Sequence, residues 1–364
     1  MAGEWDMDRV ISADAGYGKR KSAMSSDRTH YTPQQLHAVY DRINLPSRFR
    51  YEPGDFSKEV VRHHDGHGFL GALVTHTLAH IPFENLELHY SPNHAVSIHP
   101  DALFQKIIRQ GMGRGGYCLE NNVFLGTVLR SLGFDVMSVG ARLNRIDKSA
   151  PNRPGTVSFG GWSHMVNLVT IRGDIYVVDV GFGPGGPTRP MLLREGVIEI
   201  EGSPPTLLQE TRLRHEAIDE ADHKAALLWT FERRSREGAP WTPMYCFEDN
   251  VCFLPQDFEV MNYFTSTHRT SVFTYRVLCS KYILADQDEV AIVGEVVLYE
   301  NTVTRRTGDQ VETLATLATE SERVEALHHF LGVSLHPAQI AGIKGMVTEL
   351  RPPPAQQIPQ EVMA

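Results

Sequence analysis

The texture of the chain changes at Phe134, and that change limits the architecture more than any other feature. Before it, apolar residues recur at helical spacing; after it, short apolar runs alternate with Gly and Pro. Helices gathered in one stretch and strands in another imply an α+β arrangement rather than alternating βαβ units. Thr32 caps the first helix, Pro33 suits its first turn, and Leu36, Val39, Tyr40 and Ile43 follow at helical spacing. GFLGALVTHTLAHIPF sets Leu70, Leu73, Val74 and Leu78 on one side, and PDALFQKIIRQG carries Leu103, Phe104, Ile107 and Ile108 before stopping at Gly111. A fourth run, CLENNVFLGTVLRSLGF, turns Leu119, Val123, Phe124, Val128, Leu129 and Leu132 inward and ends at Gly133.

Beyond Phe134, DVMSVGARL, WSHMVNLVTI, IYVVDVGF and GVIEIEG read as strands of a sheet or small barrel. From residue 246 a mixed unit follows. Its strands are SVFTYRVLC and VAIVGEVVLYE, and its late helix opens on a capping box of Thr319 and Glu322 ahead of Val324, Leu327 and Phe330. A chain of 364 residues is too long for one core. The reading divides it into a polar leader (1–28), a helical bundle (29–133), a sheet region (134–245), a mixed unit (246–345) and an extended tail (346–364).

Composition removes several functions. With 35 Lys and Arg against 44 Asp and Glu, the net charge of −9 leaves no basic stripe for nucleic acid. No stretch approaches the roughly 20 apolar residues that span a bilayer, and the polar start lacks the apolar core of a signal peptide. The expectation is a cytoplasmic protein with no membrane and no nucleic-acid partner. Four cysteines are too few for a disulfide scaffold and stay reduced in the cytosol, so a special cysteine is special for reactivity.

Three apparent motifs dissolve on inspection. GMGRGG (111–116) matches the dinucleotide fingerprint, but a helical segment precedes it where a strand is required. HHDGHG (63–68) has metal-like composition without a ligand spacing and reads as a solvated loop, so no metal is expected. Cys246 and Cys252 suit small apolar fillers.

Cys118 differs because of its position. It follows Gly115-Gly116-Tyr117 and opens an amphipathic helix, where unpaired N–H groups and the helix dipole favour a thiolate. Glu120 in the same turn opposes that charge and is expected to pair with Arg114. Further on, WSHMVNLVTI and DIYVVDVGF form a hairpin. With Arg172-Gly173 as its turn, Asp179 lies opposite Val166 and diagonal to His164, within side-chain reach. With Gly173-Asp174 as the turn, the two share a face one pair further apart. With either two-residue turn a histidine and an aspartate face together, as a base and its orienter require, whereas a three-residue loop would break the arrangement.

RGGYCLENN (114–122), IPFENLELHY (81–90), GGWSHMVNLV (160–169) and YVVDVGFG (176–183), with FEVMNYFTSTHRTSVF (258–273), together resemble the arylamine N-acetyltransferases over most of residues 30–340. The resemblance implies a helical bundle, a β-barrel and an α/β lid around a papain-like cysteine-triad core. Its triad maps onto Cys118, His164 and Asp179, with Arg114, Gly115, Gly116 and Glu120 supporting the turn. It implies ping-pong acyl transfer from acyl-coenzyme A to an arylamine or arylhydrazine. Acetyl-CoA is the first expectation, with propionyl-CoA or malonyl-CoA as other donors. Backbone N–H groups near Cys118 and Gly160-Gly161 would hold the oxyanion. Phe264 and Thr270 would line the coenzyme cleft, and Ser163 and Phe182 would border the acceptor pocket. The leader, the stretch LNRIDKSAPNRPGTVSFGG and the tail depart from the family pattern. The same triad also suits a cysteine amide hydrolase or a transglutaminase-like enzyme.

Overall fold

Helix α1 (Pro33–Arg42) starts where Thr32 accepts a hydrogen bond from the Gln35 amide and Gln35 answers at the Thr32 amide, closing a capping box. The computed structural model describes residues 29–51, 66–144, 157–203, 206–218, 227–285, 290–308 and 310–351. The leader, most of the 145–159 stretch, the tail beyond 351 and the first half of HHDGHG lie outside them. The second half of that motif is helical rather than a loop, because α2 (Gly66–His80) begins there. Eleven of its fifteen residues are buried, so α2 is a core helix enclosed on nearly every side rather than an amphipathic one. Helix α3 (Pro100–Phe104) continues as a π-helical turn over Gln105–Arg109. Helix α4 (Cys118–Ser131) follows the glycine-rich segment.

Among the described residues the strands form two antiparallel sheets. The larger is nearly closed and barrel-like, with the order β5-β4-β3-β2-β9-β8-β7-β6. Its members are β2 (Asp135–Asn144), β3 (Phe159–Ile171), β4 (Asp174–Val178), β5 (Met191–Leu192), β6 (Ile198–Ser203), β7 (Thr206–Ala217), β8 (Leu227–Arg234) and β9 (Thr242–Phe247). The smaller runs β1-β10-β11-β12-β13, with β10 (Leu278–Leu284), β11 (Ile292–Tyr299), β12 (Thr302–Thr307) and β13 (Gln310–Thr316). Its edge strand β1 (Phe83–Glu84) comes from the helical first third and pairs with Ser280 and Cys279.

Helix α5 (Pro255–Thr267) packs on β3 of the larger sheet, and α6 (Glu320–Leu331) packs on β10 and β11 of the smaller one behind the expected Thr319–Glu322 box. The SVFTYRVLC strand is corrected. Val272–Tyr275 is a short helix, and β10 begins only at Leu278. The alternation of apolar and polar residues there mimics a strand, but Ser271 Oγ donates to the Thr265 carbonyl and the Thr274 amide donates to Ser271, which turns the chain.

Among the described residues three large apolar clusters fill the interior, and a small fourth one gathers Phe159, Ile218, Leu228 and Cys246. One joins the helices to Val169, Ile171 and Val178 and to Tyr282 and Ile292. A second surrounds Cys118 with Phe83, Tyr117, Met165, Phe231, Tyr245 and Phe253. The third lies between α6 and the smaller sheet.

Candidate active site

The segment 111–117 divides into two functions. Gly111 and Gly113 take φ of 64° and 71°, left-handed values that end the preceding helix and reverse the chain. Gly115 and Gly116 serve close approach instead. A Cβ on Gly115 would stand 2.0 Å from the Pro82 carbonyl oxygen, and one on Gly116 would stand 2.5 Å from the Glu120 side chain. The turn lies against β1 as a short parallel bridge, with Gly116 N–H donating to Pro82 and Glu84 N–H donating to Gly116. This close seat delivers Cys118, 2% exposed, as the first residue of α4.

The β3–β4 register follows the Arg172-Gly173 alternative. Ile171 pairs with Asp174, and Asn167 pairs with Val178. Both turn residues have positive φ, 54° and 92°, as a type I′ hairpin requires. Asp179, just past β4, reaches His164 on β3 with Oδ2 2.8 Å from Nε2. The remaining ring nitrogen, Nδ1, is left for the sulfur of Cys118, with which the imidazole also interacts. A bulge sharpens this geometry: Ala141 pairs with His164 and Arg142 pairs with Trp162, so Ser163 is the extra residue. Its carbonyl turns toward Cys118 Sγ, 3.7 Å away.

Burial alone would discharge the His164 ring. The Asp179 carboxylate and the Cys118 sulfur outweigh burial and raise its pKa to about 10. His164 therefore stays an imidazolium at neutral pH, between two groups that favour its charge.

Asn122 is a residue the sequence reading missed. It lies four positions after Cys118 and so on the same face of α4. Its Nδ2 donates to Asp179 Oδ1 at 2.9 Å and to the Met165 carbonyl at 2.8 Å, and its Oδ1 accepts from Val180 N–H at 3.0 Å. Gly181 N–H completes the Asp179 carboxylate at 2.9 Å. Helix α4, which begins at Cys118, thus grips both strands that carry the histidine and the aspartate.

Behind the turn lies a buried ion network, and here the Glu120–Arg114 pairing is corrected. Arg114 pairs with Glu84, Nε to Oε1 at 2.9 Å, and with Glu87 at 3.3 Å. Glu120 pairs with Lys106 at 2.7 Å and accepts from Tyr117 N–H at 3.1 Å. Lys106 approaches Glu120 because the π-helical turn after α3 carries it there, a placement that local spacing does not reveal. Glu84 also accepts from Leu86 and Gly115 N–H. Burial would raise the Glu84 carboxyl, but Arg114 and Lys106 hold it down at about 2. Glu120 has one cation to share, and burial and the Glu84 charge raise it to about 7.

The flanking residues separate into two groups. The Phe182 ring meets His164 edge-on at 5.8 Å, and Tyr245, also missed, lies 5.2 Å from the same imidazole. Phe264 and Thr270 converge on His268 instead: the Phe264 ring stacks on it at 4.5 Å, and the Thr270 hydroxyl bonds its Nδ1 at 2.8 Å. That pair faces outward, with Phe264 43% exposed. The buried side of α5 turns the other way, and its Asn262 accepts a hydrogen bond from the Tyr117 hydroxyl beside Cys118. Gly160 and Gly161 lie on β3, where Gly161 has open space at its Cβ position.

The N-acetyltransferase family model matches residues 68–340. The N-malonyltransferase FDB2 of Fusarium pseudograminearum is 36% identical over 321 residues, covering 86% of this chain and 92% of that protein. Arylamine N-acetyltransferase 2 of Mus musculus is 28% identical, covering 73% of this chain and 87% of that one. The solved structure of the Mycobacterium marinum arylamine N-acetyltransferase in complex with CoA matches with a TM-score of 0.62 at 26% identity, covering 85% of this chain and 98% of that one. With the family model spanning most of its length and relatives matched nearly end to end, this chain belongs to the arylamine N-acetyltransferase family and is a coenzyme A-dependent N-acyltransferase.

Proposed function

We propose that the chain transfers a small acyl group from acyl-coenzyme A to an arylamine or arylhydrazine through an acyl-Cys118 intermediate. The observation that carries this reading is the 2.8 Å contact between His164 Nε2 and Asp179, which leaves the other ring nitrogen to the sulfur of a cysteine at a helix start. In the first half-reaction the Cys118 thiolate attacks the thioester carbonyl, and backbone N–H groups of the Cys118 turn and of Gly160-Gly161 stabilise the oxyanion. The carbon–sulfur bond to coenzyme A breaks, and coenzyme A leaves with the imidazolium proton. In the second, the neutral amine attacks acyl-Cys118, His164 takes its proton, Asp179 supports the charged ring, and the amide is released. Arylamines suit this site because their conjugate acids are weak, so the free base predominates at neutral pH.

Phe182 and Ser163 border the acceptor in this reading, and Phe264 and Thr270 border the coenzyme. Among donors, the likeness to N-malonyltransferase FDB2 favours malonyl-CoA over the acetyl-CoA expected from the family resemblance. The hydrolase alternative gains no support from the likenesses.

The test incubates the purified protein with acetyl-, propionyl- or malonyl-CoA without amine and measures intact mass. An adduct that is absent in Cys118→Ala and discharged by an arylamine supports transfer, and the donor giving the fastest adduct names the acyl group. No adduct with any short acyl-CoA overturns the mechanism.

A further inference from the structure

On the outer face of the smaller sheet, away from Cys118, lies a cavity of about 410 Å³ lined by Lys281, Ile283, Val296, Arg305, Thr307 and Phe330. Strand register explains its shape. Lys281, Val296 and Arg305 stand side by side on β10, β11 and β12, as do Ile283, Gly294 and Thr307 in the next row on the same face. Gly294 contributes no side chain to that row, and a Cβ there would stand 2.3 Å from the Arg306 carbonyl oxygen. Phe330, from the last turn of α6, supplies an aromatic wall.

Charge sets this cavity apart in a chain of net charge −9. Two cations flank it, and no carboxylate lines it among the described residues. Lys281 donates one N–H to the Leu331 carbonyl at 3.0 Å, which caps α6, and it meets no carboxylate among the described residues. Arg305 forms no ion pair among the described residues. Glu312 stands cross-strand from it on the edge strand β13, while Glu295 is paired with Arg306 at 3.0 Å on the opposite face. Two cations beside apolar residues, in a volume typical of small-ligand sites, complement an anion with an apolar body.

We propose that this cavity binds a small aromatic carboxylate, its carboxylate held by the Arg305 fork and the Lys281 ammonium and its ring lying over Val296 against Phe330. The fork geometry of arginine matches a carboxylate through two parallel hydrogen bonds. The site goes beyond the acyl-transfer reading and does not depend on it. The other face of β10 carries Tyr282, whose hydroxyl donates to the Gly183 carbonyl at 2.9 Å in the loop after Asp179. The ligand would therefore lie on the back of a strand that holds the acceptor loop.

The probe is 1-naphthoate, titrated calorimetrically into the full chain, with 1-naphthylmethanol as its neutral counterpart. The expected result is saturable one-to-one binding, with naphthylmethanol and the Arg305→Ala variant each at least about tenfold weaker, a difference of about 1.4 kcal/mol. Thr307→Phe, which fills the cavity from an exposed position, should abolish binding while acyl transfer persists, which shows that the variant is folded. Binding should be unchanged by saturating coenzyme A. Absence of saturable binding, equal affinity in Arg305→Ala and Thr307→Phe, or displacement by coenzyme A would each overturn the assignment.

Discussion

Replacing Asn122 by Ala removes three buried hydrogen bonds at once: to the Asp179 carboxylate, to the Met165 carbonyl and from Val180 N–H. The loss divides into two parts. Asp179 Oδ1 keeps Gly181 N–H, but Val180 N–H loses its partner in a region closed to water, and an orphaned buried donor costs about 1–3 kcal/mol. With about 1 kcal/mol for each of the other two bonds, the variant should lose about 3–5 kcal/mol against urea unfolding. The catalytic loss is separate. Asp179 is then held on one side only, and a displacement of about 1 Å at a reacting group costs about 10²-fold in rate. Acylation of Cys118, followed by intact mass in single turnover, should slow by that order. Asn122→Asp distinguishes orientation from packing: it keeps an acceptor for Val180 but sets a second carboxylate beside Asp179, so one of the two must hold a proton. Its acylation rate should fall further than that of the alanine variant at neutral pH and shift its pH profile. Destabilisation of Asn122→Ala with an unchanged acylation rate would refute the positioning role and leave Asn122 as a structural clamp alone.

Gly181→Ala would place a Cβ 2.6 Å from the Cys118 carbonyl oxygen and 2.7 Å from Cys118 Cα, so acylation should drop at least about 10-fold while circular dichroism stays unchanged; normal acylation would mean the loop moves freely. Lys106→Met leaves Glu120 buried without its cation, which should cost about 3–5 kcal/mol, and adding Glu120→Gln should return part of that loss in the same unfolding assay. His164 has its folded pKa raised to about 10 from an ordinary 6.5, so its contribution to stability is full below about 6.5 and lost as pH rises through about 10. Between pH 7 and 9, urea midpoints should therefore fall in the parent and stay flatter in His164→Gln; parallel slopes would contradict a charged ring in the folded state.

How much of this was legible depended on the range of each interaction. The helix starts at Thr32 and Thr319 and the stop at Gly111 are encoded within four residues by caps and a left-handed glycine, and they stand as expected. The hairpin turn was undecided because Arg172 is an unusual residue for positive φ, while Gly173 fits both alternatives. Contact between His164 and Asp179 goes with one register only. SVFTYRVLC misled because alternation counts side chains and does not detect a Ser271 hydroxyl folding back on Thr265. β1, two residues long, has no period to read. The bulge at Ser163 was equally silent, since only the partner strand reveals that one residue is extra.

The ion network illustrates why local sequence under-determines such a site. The 114–117 turn must approach β1 so closely that Gly115 and Gly116 admit no side chain, and a segment without side chains has little apolar surface with which to hold itself. Directional bonds must fix it instead. The two oxygens of Glu84 accept from Arg114, Gly115 N–H and Leu86 N–H, and Glu120 accepts from Tyr117 N–H. Backbone donors before Cys118 are thereby pinned by buried carboxylates on both sides, Glu84 from β1 and Glu120 from the first turn of α4. Such burial gains little net stability over an apolar core of equal volume. What it supplies is one orientation of the turn, and the direction of the Cys118 side chain toward His164 follows from that orientation. Three carboxylates, Glu84, Glu87 and Glu120, share two cations, Arg114 and Lys106. The group left with the weaker share, Glu120, is therefore the one that takes up a proton near neutrality, and the anchor of the Cys118 turn loosens first at that residue when Lys106 is removed.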